Sequence, residues 1–588
     1  MQNFLRAASR AGIALGIVAI GAGSIGQAQT ASPRRGAPTD WSYSHIIGNR
    51  FGPDAGAAID REWRTYNKQA RRDQARASVA AAARLDWASP AMRKLKGAWK
   101  PGAAVAHLDW NLQTGGYGSV VGDPAKYSFD ISAANCADVI YFTVNQAGSA
   151  SAPNVIAITN PYSICPGNST GTTPTVKFAL RLTSGTATSS VPSLDGTILY
   201  VLESRAGSTI LHAINVNKIT TTPGTYNFAT NVWTSVHTLL SAPIGTAATE
   251  QLFEITFAGV VNNSSSPYLD YANNQIFFGD AAGRVHRVLN TNLSTASHYT
   301  LKGFPVQCGT AQLTSPVFVT SPLNQLFVAS ANGFAYRIDM QTVPAGNYVP
   351  IGTTQAGTGN GVDGGLSAPV IDITNNKIVL TTGDAALLPG FKGIGEVGLM
   401  FGPGATPLSS QALGRSDNTL PTAPAFDDAF WSTNNGHAYA TGNSTGGGDT
   451  FLIKIPYNGS FSAPSGYAAL RHTGGDAEQP TTGVTEFLTA SASANKDFLF
   501  VGAFGGAYLY MNRFLSNFGG TENSPTSYAS SFGATAGTVP GGVTSGVVID
   551  NRTTYQILTG LSTANIYFGT KGVTGSAFSR IIQLNQEF

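Results

Sequence analysis

The chain has 588 residues, with 35 Lys and Arg against 32 Asp and Glu and a formal net charge of +3. Only 11% of residues are charged, which excludes a uniformly basic nucleic-acid scaffold or a long acidic tail as the whole protein. With 42% hydrophobic residues and 68 Gly, the composition fits a folded core interrupted by many tight turns.

Residues 1–28 read as a secretory signal. Arg6 and Arg10 give a positive start, AGIALGIVAIGAG (11–23) a short apolar run, and Gly26-Gln27-Ala28 small residues at the cleavage positions. The run is too short for a comfortable membrane span, and no Cys follows it to take a lipid. The expected location is therefore secreted, periplasmic or at the cell surface.

Residues 29–106 have a different character. Ile59, Trp63, Tyr66 and Ala70 fall at i, i+4, i+7 and i+11, one stripe of a helix expected over 57–85. Arg61, Arg64, Lys68, Arg71, Arg72 and Arg76 crowd the rest of it. Residues 1–126 hold 17 Lys and Arg against 8 Asp and Glu, and the remainder 18 against 24. The near-neutral total thus hides a basic arm beside an acidic body. One reading has the arm contact a membrane, cell-wall polymer or acidic polysaccharide. The favoured one has it strap onto its own acidic body through Trp63, Trp87 and Trp99. Nucleic acid is not an expected partner, because the basic residues are confined to the arm of an exported chain.

From residue 107 onward the chain repeats. FFGDAAGRVHRV (277–288) and FVASANGFAYRI (327–338) align residue for residue, Gly283 against Gly333 and Arg287 against Arg337. Each is an alternating strand, a Gly-bearing turn and a second strand that pairs back antiparallel. Copies open at KYSFDIS (126–132), before ILYVLES (198–204), and at SSPYLDY (265–271), TSPVFVT (314–320), SAPVIDI (367–373), TAPAFDD (422–428), GVTEFLT (483–489) and SGVVIDN (545–551). A hairpin repeat of this size in an all-β chain predicts a β-propeller. The last copy stops at its third strand, SRIIQLNQEF (579–588). HLDWNLQTG (107–115) resembles the fourth strand VKFALRLTSG (176–185), so strand 107–113 is expected to complete the last blade and close the ring over 107–588. This gives eight blades; seven is the alternative if 107–112 is only a lead-in.

Cys136 and Cys165 flank two strands of the first repeat and are expected to form a disulfide, leaving Cys308 over. No Cys-x-x-Cys or His-x-x-x-His spacing occurs, so no metal or cofactor is expected. Gly442-Asn443-Ser444-Thr445-Gly446 matches the nucleophile elbow by letters, but a strand follows where that motif needs a helix. The glycine pattern at 359–364 fails as a dinucleotide fingerprint for the same reason.

Candidate ligand-binding residues come from the ends of second strands. Asp280, Ser330, Asp384 and Asn443 hold equivalent places and would ring an opening if those ends converge on one face. Asp476 and Glu478, in the loop HTGGDAE (472–478), and the pair Asp427-Asp428 add carboxylates. The favoured reading of any single strand-end residue is that it caps its own hairpin turn, which Asp, Asn and Ser do readily. No catalytic residue is assigned.

The units SPVFVTSPLNQLFVASANGFAYRID (315–339) and FLFVGAFGGAYLY (498–510) resemble blades of the quinoprotein-dehydrogenase-like superfamily, in which eight blades are usual. Quinone-binding members carry a disulfide between neighbouring Cys, and this chain has no adjacent Cys pair, so the resemblance implies the fold without the dehydrogenase activity. DPAKYSFDISAANC (123–136), NPYSIC (160–165), VTEFL (484–488) and TSGVVIDN (544–551) resemble a more specific group, uncharacterised secreted bacterial propellers, and imply no activity. The expected function is an exported, non-catalytic propeller that binds an extracellular polysaccharide, other polymer or protein. The alternatives are a polysaccharide hydrolase or lyase using funnel carboxylates, and a structural component of an envelope or matrix assembly.

Overall fold

The computed structural model describes residues 37–47, 106–129, 135–162, 165, 173–185, 188–219, 224–238, 252–259, 265–271, 273–289, 303–319, 323–340, 348–357, 365–416, 421–427, 430, 434–443, 450–470, 481–490, 495–503, 508–514, 526–527, 544–550, 563–572 and 578–587. The signal stretch 1–28, the helix expected over 57–85 and the anchors Trp63, Trp87 and Trp99 lie outside them.

Strands form where β-branched and aromatic residues run between turn formers. Val139–Asn145 and Gln325–Ala329 are buried at almost every position, so these strands are covered on both faces and read as continuous apolar runs. The turns between first and second strands use Asn274, Asn324, Asn376 and Asn434, whose φ values are 51°, 47°, 54° and 57°. Asn enters this left-handed region more readily than most residues. Gly283 and Gly333, aligned in the sequence, turn the second strand into the third at φ 78° and 84°.

Among the described residues the strands make eight sheets, each built on four antiparallel strands, and one separate two-stranded hairpin. Each sheet packs on the next in chain order. Tyr141 and Phe178 of the first sheet share a core with Val201 and Ile214 of the second. A continuous core then runs from Tyr200 through Phe277 and Phe327 to Ile371. Ile394 of the fifth sheet packs with Phe426 and Ile453 of the sixth. Thr481 reaches back from the seventh sheet to Thr441 at 2.8 Å, and Thr485 bonds the carbonyl of Val547 in the eighth at 3.0 Å. Trp110, Tyr567 and Ile581 of the eighth sheet return to Ile140 and Phe142 of the first. A cycle of packed four-stranded meanders is a β-propeller, as the repeat predicts. The eighth sheet takes its outer strand from the other end of the domain: Ala106–Gln113 pairs antiparallel with Arg580–Glu587.

The hydroxyl residues before the first strands have a structural reason. Ser265, Ser367, Thr482 and Ser545 accept the backbone N–H of Gly279, Thr381, Gly502 and Gly569 at 2.7–3.2 Å, tying each first strand to the end of its second. Neighbouring sheets are joined at the same level. Asp123 N–H donates to Ser189 Oγ, Ser189 N–H to Ser266 Oγ and Ser266 N–H to Ser315 Oγ, at 2.7, 3.1 and 2.8 Å.

First strands of several neighbouring sheets contact one another, the first with the second, the third with the fourth, the sixth with the seventh and the eighth with the first, which places them around the axis. Two axial edges are extended by residues 37–47. Ala37–Thr39 adds antiparallel to Ser119–Ser128 of the first sheet, and Ile46–Ile47 adds in parallel to Val370–Asp372 of the fifth. Between them the 3-10 turn Trp41–Ser44 is capped by Asp40, which accepts the N–H of Ser42 at 2.8 Å. Trp41, only 5% exposed, joins the core of the second to fifth sheets. The segment assigned to the arm from residue 29 therefore already includes a strap across the ring axis. Of the two compact units into which the chain divides, the second runs from Gly36 to Phe588 and includes the strap with its buried Trp41.

The hairpin Thr225–Asn227 and Val232–Ser235, inserted in the second sheet, reaches over the closing seam. Trp233 donates its indole N–H to the carbonyl of Gln113 at 2.9 Å, and the Gln113 N–H donates to Tyr226 Oη at 2.9 Å.

Candidate functional site

Asp280 is fully buried. Its Oδ1 accepts the N–H groups of Ala282 and Arg284 at 2.8 and 3.0 Å; its Oδ2 lies 3.0 Å from Arg284 Nε and 2.7 Å from His286 Nε2. Burial pushes this carboxyl up, but His286, the Arg284 N–H and the Arg284 charge outweigh it and hold it below the usual range. Ser330, at the equivalent place, donates to the Phe334 carbonyl at 2.8 Å and accepts its N–H at 3.2 Å. Asp384 accepts the N–H of Gly390 at 2.7 Å. These three side chains therefore hold their own hairpin turns. Asn443 differs: its amide reaches the Arg415 carbonyl of the neighbouring sheet at 3.4 Å. It lines a small polar pocket between the fifth and sixth sheets with Thr382, Lys392, Thr441, Thr450 and Thr481. Asp476 and Glu478 lie outside the described residues.

A second recurring acidic position is more heavily connected. First strands end in Asp: Tyr268–Asp270, Val370–Asp372 and Val548–Asp550, with Asp427 directly after Ala425–Phe426. Asp270 accepts from Asn273 Nδ2 and Gln275 Nε2 at 2.7 and 2.6 Å. Asp372 accepts from Asn375 Nδ2 at 2.6 Å and from Tyr457 Oη of the next sheet at 2.9 Å; burial raises its carboxyl. Asp427 binds the N–H groups of Phe430 and His437 at 2.9 and 3.0 Å and lies 2.8 Å from His437 Nδ1. The signal for this position was present in YLDY, VIDI, AFDD and VIDN, four copies with Asp in one register.

The fourth copy has a different partner. Asp550 Oδ2 is in contact with Lys126 Nζ, and that amine lies 3.2 Å from Asp138 Oδ2. Tyr162 Oη accepts from Lys126 Nζ at 2.8 Å, sits 2.6 Å from Asp138 Oδ2 and also bonds Asp550 Oδ2. All four side chains are buried. Asp138 is fixed from its other oxygen by the N–H of Phe129 at 2.8 Å. The disulfide Cys136–Cys165, expected from the sequence, pins the two segments that carry Asp138 and Tyr162. Lys126, Tyr162 and Asp550 belong to the sequence blocks DPAKYSFDISAANC, NPYSIC and TSGVVIDN, which meet here from the first and eighth sheets. Among the described residues no group of three or more His, Cys, Asp or Glu is arranged to hold a metal ion.

No protein-family model matches the chain, and no curated protein matches it. Among solved structures it is similar to Sqt1 from Saccharomyces cerevisiae, at 10% identity and a TM-score of 0.43 over 82% of this chain and 99% of that one. It is similar to Sqt1 from Chaetomium thermophilum at 14% identity and 0.43, over 82% and 98%. It is also similar to BamB from Moraxella catarrhalis at 10% identity and 0.35, over 82% and 98%. At these values nothing is carried across, and the propeller assignment rests on the sheet topology above.

Proposed function

We propose that this chain is an exported, eight-bladed, non-catalytic propeller that binds an extracellular protein or polymer. The observation that carries the reading is the use of its strand-end acids. Asp280 and Asp384 are occupied in separate hairpins, whereas a hydrolase or lyase needs an acid and a base within reach of one substrate bond. Eight sheets of four strands support the blade number.

The binding face is drawn from exposed apolar side chains. Tyr467 lies on a strand of the sixth sheet, Val349, Met400 and Leu408 beside strands of the fourth and fifth, Leu387 on a turn of the fifth and Phe391 at the start of the strand that follows it. The segment carrying Met400 and Leu408 lies along the outer strand Pro350–Gln355, where Ala405 bridges to Thr354. Exposed apolar groups such as Met400 and Leu408 fit a contact surface better than a catalytic cleft.

The test is co-sedimentation with insoluble polysaccharides and cell-wall material, beside capture on immobilised secreted proteins, with mass spectrometry of the supernatant. Binding without released fragments, weakened at least tenfold by Met400→Asp with Leu408→Asp, is the expected result. New soluble oligosaccharides would overturn it in favour of the hydrolase or lyase. N-terminal sequencing of the fractionated protein tests export, with a start near residue 29 expected.

A further inference from the structure

We propose that Lys126 and Asp550 condense to an intramolecular amide that closes the propeller covalently, with Asp138 as the proton-transfer residue. The argument starts from the buried cluster of one amine, two carboxyls and one phenol. Lys126 is 2% exposed, Asp138 0% and Asp550 3%. Burying an ammonium beside two carboxylates is unfavourable for the fully ionised set, because each ion gives up its hydration. Moving one proton from the amine to Asp550 yields a neutral amine facing a neutral carboxyl, which is the reactive pair for amide formation.

The positions suit that reaction. Lys126 Nζ is already against Asp550 Oδ2, on a strand whose axial edge is covered where Thr39 pairs with Lys126. Fixed proximity of this kind corresponds to an effective concentration of about 10⁵–10⁸ M. Exclusion of water removes the nucleophile for the reverse reaction. In the step, Nζ attacks Cγ of the protonated Asp550 and the C–N bond forms. Asp138, 3.2 Å from Nζ, accepts the amine proton and returns it to the departing hydroxyl. The C–OH bond breaks, and one water leaves. Nothing is oxidised or reduced, and no co-reactant is required. Tyr162 holds both carboxyls in place, and after reaction the Asp138 carboxylate keeps the Phe129 N–H and the Tyr162 hydroxyl as donors.

The consequence follows from where the two residues lie. Lys126 is on the first strand of the first sheet and Asp550 ends the first strand of the eighth, 424 positions away. An amide here makes the joint between first and last sheets covalent at the axis, while at the opposite edge of the eighth sheet the outer strand Ala106–Gln113 pairs non-covalently with Arg580–Glu587.

The experiment is a tryptic peptide map of the full-length protein, denatured and reduced before digestion. The expected result is one linked species containing the segments around Lys126 and Asp550, lighter than their sum by one water, with cleavage after Lys126 reduced at least tenfold. Asp550→Asn is expected to give a linked species of the same mass, because ammonia leaves in place of water. Lys126→Arg is expected to abolish the link. Asp138→Asn is expected to lower the linked fraction at least tenfold while a cooperative melting transition persists, and an undiminished fraction would overturn its role. Separate wild-type peptides with normal cleavage after Lys126 overturn the proposal, whether or not any variant folds.

Discussion

Trp41 donates its indole N–H to the carbonyl of Pro267 at 2.9 Å, across 226 positions of sequence. The ring also packs edge-on against Tyr268, with centroids 6.1 Å apart, and Asp40 beside it accepts the hydroxyl of Tyr271 at 2.8 Å. One short segment therefore bonds the third sheet while its two ends pair with the first and fifth. A strap of this kind acts as a tie bar, because separating the sheets breaks several contacts at once.

Trp41→Ala is expected to lower stability by about 3–5 kcal/mol, since it empties a buried aromatic site and leaves the Pro267 carbonyl without its donor. Urea unfolding followed by tryptophan-independent circular dichroism measures this. A change below about 1 kcal/mol would mean that the strap does not tie the ring.

The pH dependence of stability has a defined source in the second sheet. His212 lies between two glutamates, with Nε2 2.8 Å from Glu203 and Nδ1 3.2 Å from Glu254. Burial pushes the imidazole down, but both glutamates outweigh it and raise it above 6.5. For Glu203, burial pushes up while His212, Arg205 and Thr183 hold the carboxyl down at about 2. A raised histidine contributes its full stability below 6.5 and loses it as pH rises through the folded value. A depressed glutamate contributes its full stability above 4.5 and loses it as pH falls through about 2. The pair is therefore strongest between 4.5 and 6.5. The melting temperature is expected to fall as pH rises past that window, and His212→Gln is expected to flatten this limb and cost about 3–5 kcal/mol within the window.

Reduction of Cys136–Cys165, which are 29 positions apart, is expected to cost about 3 kcal/mol. The Cys136→Ser, Cys165→Ser double variant should melt lower by a matching amount, and adding reductant should then change nothing further. An unchanged midpoint on reduction of the wild-type protein would refute a stabilising role.

Cys308 is expected to react slowly in the folded state. Burial, aided by the Asp280 charge, pushes its thiol up to about 12, so little thiolate exists at neutral pH. A chromogenic disulfide reagent is expected to react with it at least tenfold more slowly in native protein than in denaturant. Equal rates would show that the folded chain leaves the thiol open to reagent and to another chain.

A glycine sits tightly packed at the ring closure. A Cβ on Gly546 would stand 1.4 Å from Asp123 Oδ1, at the point where the Gly546 N–H donates to the Gly122 carbonyl at 3.0 Å. Gly546→Ala is expected to cost about 1–3 kcal/mol by overpacking, read as a lower denaturation midpoint.

Strands and turns are local, and the sequence by itself determined them. The alternation in 277–288 and 327–338, with Gly283 and Gly333 at φ 78° and 84°, specifies two hairpins without reference to anything distant. The disulfide was legible for a similar reason, because the strands between Cys136 and Cys165 belong to a single sheet. The role of Asp280 was not legible. A carboxylate at a strand end has the same sequence signature whether it faces an axial opening or its own turn, and the nearby N–H groups of Ala282 and Arg284 decide between them. The strap and the closing cluster were decided only by tertiary structure. Residues 37–47 lack a long periodic run, so their strands exist only because the first and fifth sheets offer axial edges to pair with. Lys126 and Asp550 meet because a ring makes its first and last sheets neighbours. Circular closure turns the largest separations along the chain into contacts, and no local pattern encodes that.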